Sequence, residues 1–387
     1  MNQSTLQKII IYWWLLLDVI GIAVLIPAFP ELKIYYGIND FQVTLWLTIY
    51  SLCAFVAAPL MGQLSDRYGR KLTLTRCVAG TVLSYVILLI TPAYRIFLLS
   101  RVINGITGWN ISILQAILTD ISSNKEEKTK NFWLMWAMFG LGFIIGPVIG
   151  SLLLRAGNVY GIFWWWAIFA VLELVWILLW FRNTNTPESG KHISLNSFGV
   201  IYKHISKEKM RPYLISFGLL GVGWFIINST QSLYMNTKFG TSGEQYGYYL
   251  AILWVIAAVN MALLIPKFWT KHMSNKSLIT MSHLALITGY GVMWFMTQEW
   301  VFLGFFYGAI LLWNIYNPLY NAEIMSQARP DEVGEVSGML WWLQSLFMFI
   351  GPLIGGILLS QGINVFAVAS VCCIISLIVL QSYQKTK

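Results

Sequence analysis

Charge is scarce in this chain. Asp, Glu, Lys and Arg make up 11% of its 387 residues, against about 25% in a soluble domain. A water-soluble surface of this size cannot be covered by so few charges, so a soluble enzyme and a disordered chain are both excluded. Cysteine is rarer still. Cys53, Cys77, Cys372 and Cys373 lie in or beside apolar runs, which excludes a disulfide scaffold and predicts no disulfide. The four histidines, His192, His204, His272 and His283, are expected in or near cytoplasmic loops. No CxxC, HxH or His/Cys cluster suggests a metal site. No catalytic group of His, Asp or Cys gathers at one membrane face, so we expect neither an enzyme nor a bound cofactor.

Apolar and aromatic residues are plentiful instead. Hydrophobic residues reach 57% and aromatics 16%, with 19 Trp, and the mean hydropathy is +0.66. These values describe an all-α integral membrane protein with the lipid bilayer as its surroundings. A spanning helix needs about 20 mostly apolar residues. Twelve runs qualify, near 6–29, 42–64, 72–92, 94–119, 131–155, 158–181, 212–235, 244–267, 277–297, 299–324, 335–359 and 361–382. The first run has no small-residue cleavage pattern and is too long for a signal-peptide core, so it is read as a helix.

Alternating these helices sorts the cations. Lys33, Arg95, Arg155 and Lys238 fall on one side, Arg101 lies within the membrane, and the remaining 20 of the 25 Lys and Arg share the side of the termini. The positive-inside rule therefore predicts cytoplasmic termini. It also explains the net charge of +9 as topology, with no nucleic-acid partner.

The longest loop, 182–211, is polar and cationic and reads as a linker between a six-helix bundle at 1–181 and another at 212–387. The halves echo each other. Helix five carries GPVIGSLLL at 146–154 and helix eleven carries GPLIGGILL at 351–359. Paired Gly-Pro interruptions point to a transporter built from repeats.

The loop after helix two reads GQLSDRYGRK at 62–71. Here the chain resembles the major facilitator superfamily, whose loop signature is G-x-L-x-D-R-x-G-R-K; Gly62, Leu64, Asp66, Arg67, Gly69, Arg70 and Lys71 match. LDVIGIAVLIPAFP (17–30), RVINGITGWNISILQAILTDI (101–121), GLGFIIGPVIG (140–150) and NPLYNAEIMSQARPDEVGEVSG (317–338) are similar to the twelve-helix drug:proton antiporter branch, which includes bacterial tetracycline-efflux proteins. The resemblance covers nearly the whole chain and implies the major facilitator fold. It also implies that the loop network latches the halves on the cytoplasmic side, and that Gly142, Gly146, Pro147 and Gly150 form the motif that accompanies efflux.

The residues support much of this on physical grounds. Asp66 sits near a helix end, and Arg67, Arg70 and Lys71 can pair with it and with Asp120. Glycines at 142, 146 and 150 permit close helix approach, Pro147 frees a carbonyl, and Ser151 stands where the motif has its final glycine. Three charges lie deep in the membrane, where each costs about 2.5–3.5 kcal/mol. Asp18 in helix one and Arg101 in helix four are expected at similar depth and are read as an interacting, proton-sensitive pair. Glu173 in helix six is placed nearer the cytoplasm, so it need not meet Asp18. It could bind a cationic substrate, take a second proton or snorkel.

Tetracycline-efflux proteins carry further ionisable residues in helices eight and nine. No counterpart is read here, which assigns proton coupling to the first half. Polar stripes predict a cavity. They comprise Arg101, Asn104, Gly105, Gly108, Ser112 and Gln115 in helix four, Asn228 and Gln231 in helix seven, and Asn314, Asn317 and Asn321 in helix ten. Trp14, Trp109, Trp224 and Trp313 could line it, and Trp164, Trp165 and Trp166 read as an outer interfacial belt. The expectation is a monomeric transporter exporting small amphipathic compounds against protons, the proton being its coupling ion. The alternatives are a metabolite, sugar or lipid carrier on the same scaffold and, in another class, a membrane receptor or enzyme.

Overall fold

The computed structural model describes residues 3–91, 93–108, 110–157, 159–184, 204, 207, 210–328 and 332–385. Trp109 and most of the linker lie outside these residues. Twelve helices are long and apolar enough to span a membrane, and no strand occurs among the described residues. Helices one to six run Gln3–Leu25, Asp40–Tyr68, Arg70–Ile90, Tyr94–Gly108 continued by Ile111–Asp120, Lys125–Arg155 and Gly161–Trp180. Helices seven to twelve run Arg211–Phe239, Gly243–Val259 continued by a wider π-helical stretch Asn260–Trp269, Asn275–Phe295, Glu299–Ser326, Val333–Ser360 and Val365–Lys385.

Proline accounts for two departures from the expected spans. Helix one stops at Leu25 rather than 29, because Pro27 has no N–H to continue the ladder. A short outer helix, Phe29–Tyr36, then begins with Pro30 in its first turn and ends at Gly37, whose φ of 62° suits glycine. In helix eight the i→i+5 stretch surrounds Pro266, which cannot donate an i→i−4 bond.

Two expected placements are corrected by rotation around a helix and by helix length. Helix nine begins at Asn275, so His283 lies two turns inside it and is fully buried, not in a loop. Consecutive residues turn by about 100° around a helix. Trp164 and Trp165 accordingly face outward, while Trp166 is buried in the bundle.

Helices two and eight begin alike. Asn39 and Gln42 exchange backbone-to-side-chain hydrogen bonds (2.8 and 3.0 Å), and so do Ser242 and Gln245 (3.1 and 3.2 Å). Both are reciprocal capping boxes that satisfy N–H groups a helix start leaves free.

The glycine seams repeat as well. A Cβ at Gly142 would stand 2.7 Å from Val19 Cγ1, one at Gly146 2.6 Å from Ala23 Cβ, and one at Gly150 2.6 Å from Val24 O. Helix five therefore packs backbone to backbone on helix one. In the second half a Cβ at Gly355 would stand 2.8 Å from Thr230 Cγ2, and one at Gly351 would collide with Phe225 Cβ. Helix eleven thus seats on helix seven in the same way.

The chain divides into two compact units, Met1–Ile38 with Ile49–Leu195 and Ser242–Ala251, and Asn39–Thr48 with Asn196–Thr241 and Ile252–Lys387. Each unit borrows the opening turns of one helix from the other sequence half. Within the first unit Gly247 lies against Ser151 and Pro147 of helix five; within the second, Gly356 of helix eleven lies against Thr44 of helix two.

Candidate functional site

Two charged groupings sit in the first unit. At the helix two–three turn, Gly69 adopts φ 96°, a conformation only glycine takes readily, with the Asn183 amide 3.0 Å from where its Cβ would be. The turn delivers Arg70 to a double carboxylate. Its Nε donates to Asp120 Oδ2 at 2.9 Å, and Nη1 donates to Ser65 Oγ at 2.7 Å and to Asp66. Thr184 Oγ1 also donates to Asp120 at 3.0 Å. Lys71 binds Leu178 O through Nζ (3.1 Å) and Asn183 Oδ1 through its backbone N–H (3.0 Å). Arg67 lies over the Tyr68 ring, and Gly62 faces Ser112 of helix four. The described partners of Arg70 all belong to the first half, with the guanidinium as hub.

The second grouping is intramembrane. The Arg101 guanidinium is enclosed by aromatic faces: Trp166 at 5.0 Å, Tyr85 at 5.3 Å and Phe97 at 5.6 Å from the ring centroids. Its Nε donates to Ser100 Oγ at 3.2 Å. A guanidinium stripped of water gains from ring quadrupoles, by about 2 kcal/mol when desolvated. Trp166 also donates from its indole to Gly21 O, fixing helix one beside this cage.

Tyr50 and Tyr85 lie within electrostatic reach of both Asp18 and Arg101. The acidic neighbour of Asp18 is Glu173. Depth alone gave these two carboxylates no need to meet, yet they lie within electrostatic reach of each other. Trp14 and Asp18 share one face of helix one, a turn apart, and Glu173 interacts with both.

The polar stripes divide. Asn104 turns to Thr81 of helix three, its Nδ2 donating at 3.4 Å, and a Cβ at Gly105 would stand 2.6 Å from Tyr50 O, so this part of helix four makes packing contacts. Ser112 is half-buried near Gly62, and Gln115 O accepts from Thr119 at 2.8 Å. In the second half Gln231 is buried and Asn228 half-buried. Asn321 donates to Asn317 Oδ1 at 2.7 Å within helix ten. Asn314 is half-buried one position beyond Trp313, whose ring stacks on Trp224 with centroids 4.9 Å apart and planes 8° from parallel. Trp313 also packs against Tyr316, centroids 5.8 Å apart.

Sequence reasoning missed Tyr50, Tyr85 and the inward role of Trp166. They stand on helices two, three and six, apart from Asp18 and Arg101 on helices one and four, so no spacing in the sequence marks them. It also missed a buried hydrogen-bonded chain in the second unit. Tyr320 donates to Ser216 Oγ at 2.5 Å, Ser216 and Ser376 hydroxyls are bonded to each other, and Ser376 Oγ lies 3.1 Å from His283 Nε2. His283 Nδ1 lies 2.8 Å from Ile279 O, an arrangement that requires Nδ1 to donate and leaves Nε2 as acceptor. Tyr316 packs edge-on against the imidazole, centroids 5.0 Å apart.

Two six-helix repeats, paired Gly-Pro seams and buried charge within one of them define a membrane transporter of the alternating-access type. The chain belongs to the Major Facilitator Superfamily, whose family model matches residues 14–352. It is 27% identical to the class B tetracycline resistance protein of Escherichia coli over 379 residues, 95% of this chain and 91% of that protein. It is 24% identical to multidrug resistance protein 2 of Bacillus subtilis (strain 168), over 89% of this chain and 86% of that one. Among solved structures it is similar to the nucleoside transporter NupG (TM-score 0.76, 13% identity, 100% of this chain and 99% of that chain). It is also similar to the human organic anion transporter MFSD10 (TM-score 0.68, 19% identity, 98% and 100%).

Proposed function

We propose that this protein is a secondary active transporter of the inner (plasma) membrane, with both termini cytoplasmic, that exports small amphipathic compounds in exchange for protons as a monomer. The observation that carries the reading is the intramembrane grouping of Asp18, Glu173 and caged Arg101. A proton added to the carboxylate pair removes one negative charge from the field Arg101 faces, and its departure restores that charge. Helices one, four and six carry these groups, so protonation biases how the three helices fit together. The efflux relatives supply the substrate class, and the stacked Trp224–Trp313 pair offers a surface for a flat ligand.

The driving force is adequate. One charge crossing 100 mV releases about 2.3 kcal/mol, enough for roughly forty-fold accumulation at 1.4 kcal/mol per decade.

The test uses inverted membrane vesicles carrying a proton gradient reported by a quenched pH dye. A panel of cationic, zwitterionic and neutral drugs is added to vesicles holding wild type or Asp18→Asn. The expected result is dequenching by a subset of the panel with wild type and none with the variant. If no compound dissipates the gradient through wild type, the drug-export reading fails and metabolite or lipid flux takes its place.

A further inference from the structure

Glu31 stands in the first turn of the short outer helix Phe29–Tyr36, yet its carboxylate serves another helix. Glu31 Oε1 accepts the backbone N–H of Gly243, the first residue of helix eight, at 2.8 Å. The Ser242–Gln245 capping box leaves that donor over, and a carboxylate at a helix N-terminus is favourably placed. The approach is too close for a side chain. A Cβ on Gly243 would stand 2.6 Å from Oε1 and collide with Oε2 and Pro27 O.

One turn further on, Gly247 is notched against Ser151 and stands close to Pro147 O of helix five, at 2.7 Å from where its Cβ would be. Ser151 Oγ lies 2.8 Å from Glu244 O. The opening turns of helix eight are thus held at two glycine notches, one of them formed by Glu31. The other carboxylate oxygen, Oε2, is buried without a hydrogen-bond partner, and both it and Pro27 O crowd the point where a Gly243 Cβ would stand.

We propose that Glu31 is a proton-operated clasp on the start of helix eight: the neutral carboxyl holds this segment against the short outer helix and helix five, and the ionised carboxylate releases it. The geometry favours the neutral form as the holder. A carboxyl O–H on Oε2 can donate to Pro27 O while Oε1 keeps the Gly243 bond, whereas an ionised Oε2 is buried with no donor. Burial raises the proton affinity of Glu31 above the 4.5 ordinary for glutamate, and the N–H of Gly243 and its own backbone N–H offset this only in part.

The charged groups nearby are Lys33 on the same helix, Glu244 on helix eight and Arg155 on helix five, the last two 3.9 Å apart. The sign follows from linkage. A group that binds its proton more tightly when clasped than when exposed favours the clasped form as pH falls and the open form as pH rises through its pKa. In the exporter proposed above, a proton arriving from the outer face would therefore close this segment. That role rests on the antiport reading, while the clasp itself is testable without any substrate.

The experiment follows alkylation of Ser151→Cys, in a background lacking the four native cysteines, by a membrane-impermeant maleimide on right-side-out vesicles. Each rate is divided by that of the added Glu31→Ala variant at the same pH, which cancels the thiolate fraction. With Glu31 intact, the relative rate should climb with pH about a midpoint above 4.5. With Glu31→Gln, an uncharged side chain that keeps the acceptor, it should stay low at every pH, about tenfold below Glu31→Ala, as loss of one buried hydrogen bond implies.

A second variant, Gly243→Ala, forces the segment away and should label like Glu31→Ala with the carboxylate still present. Full labelling after unfolding in detergent, with unchanged helicity before it, establishes that each variant is folded. If Glu31→Gln follows the wild-type pH curve, another group titrates and the proposal is overturned. Equal rates for the Ala, Gln and native forms would overturn it also, because Glu31 would then hold nothing.

Discussion

The two six-helix halves share a scaffold and differ in the chemistry placed inside it. Both have a helix capped by a reciprocal box, at Asn39–Gln42 and Ser242–Gln245, and both have a Gly-Pro helix seated backbone to backbone on a neighbour. The first half gathers half-buried Asp18 and buried Glu173 and Arg101 among tyrosines and tryptophans. The second half, among its described residues, ties helices seven, nine, ten and twelve together through Ser216, His283, Tyr320 and Ser376. Backbone packing tolerates duplication with little change. Buried charge is costly, so each instance needs neighbours that offset its desolvation. The first half concentrates its ionisable groups inside the bundle, while the second links four helices through three hydroxyls and an imidazole.

The largest effect expected from this contrast is on proton coupling. Asp18→Asn should reduce drug-driven dequenching to background, whereas His283→Gln, which can still accept from Ser376, should leave it measurable. The vesicle assay decides between them. Loss of coupling in both variants would break the contrast and make the second half a partner in proton movement.

Next in size are the seams. Gly146→Val and Gly351→Val each press a branched side chain against backbone, and overpacking of this kind costs about 1–3 kcal/mol. Similar falls in thermal unfolding midpoint in detergent are expected. A tolerant Gly351 would mean that the second seam only looks like the first.

The seams also show what could be read in advance. Twelve runs of sufficient length, the cation asymmetry and the repeated Gly-Pro segments are one-dimensional signals, and the helices follow them to within a few residues, apart from helix one, which Pro27 ends early, and helix five, which starts at Lys125 in the polar stretch before its apolar run. The loop motif carried its own partners, and Arg70 meets both Asp66 and Asp120. The intramembrane grouping was legible only in part. Which carboxylate meets Asp18 depends on tilt and rotation of helix six, which no count of residues supplies. His283 was placed near a loop although the expected run 277–297 already contains it; its burial depends on the helix face it occupies, which the run does not give.

Ser151 was read as a small departure from a glycine motif, and its reason is a trade across the repeat. Helix five offers Ser151 where helix eight offers Gly247, and helix eleven offers Gly356 where helix two offers Thr44. Each junction pairs one hydroxyl side chain with one glycine.

Smaller effects sharpen the comparison. Ser376→Ala removes the donor to His283 Nε2 and one partner of Ser216, leaving a buried acceptor without its bond. That should cost about 1–3 kcal/mol and lower the unfolding midpoint while transport continues. The neutral chain would then be a stabiliser of the second half. Collapse of proton-driven export in this variant, at normal protein level, would show instead that the chain carries protons.

The smallest effect is expected at Arg155. It lies 3.9 Å from Glu244 at the junction of helices five and eight, with 71% of its side chain exposed, and an exposed pair at that distance is screened and worth little. Arg155→Gln should leave both the unfolding midpoint and export unchanged. The result matters because the counterpart junction, Thr44 against Gly356, works by packing a hydroxyl side chain onto a glycine. If neutralising Arg155 disturbed the first junction, charge would be holding it and the two would differ in kind. If nothing changes, both junctions rest on the same glycine contact, and the asymmetry of the molecule is confined to its buried interior and to Glu31.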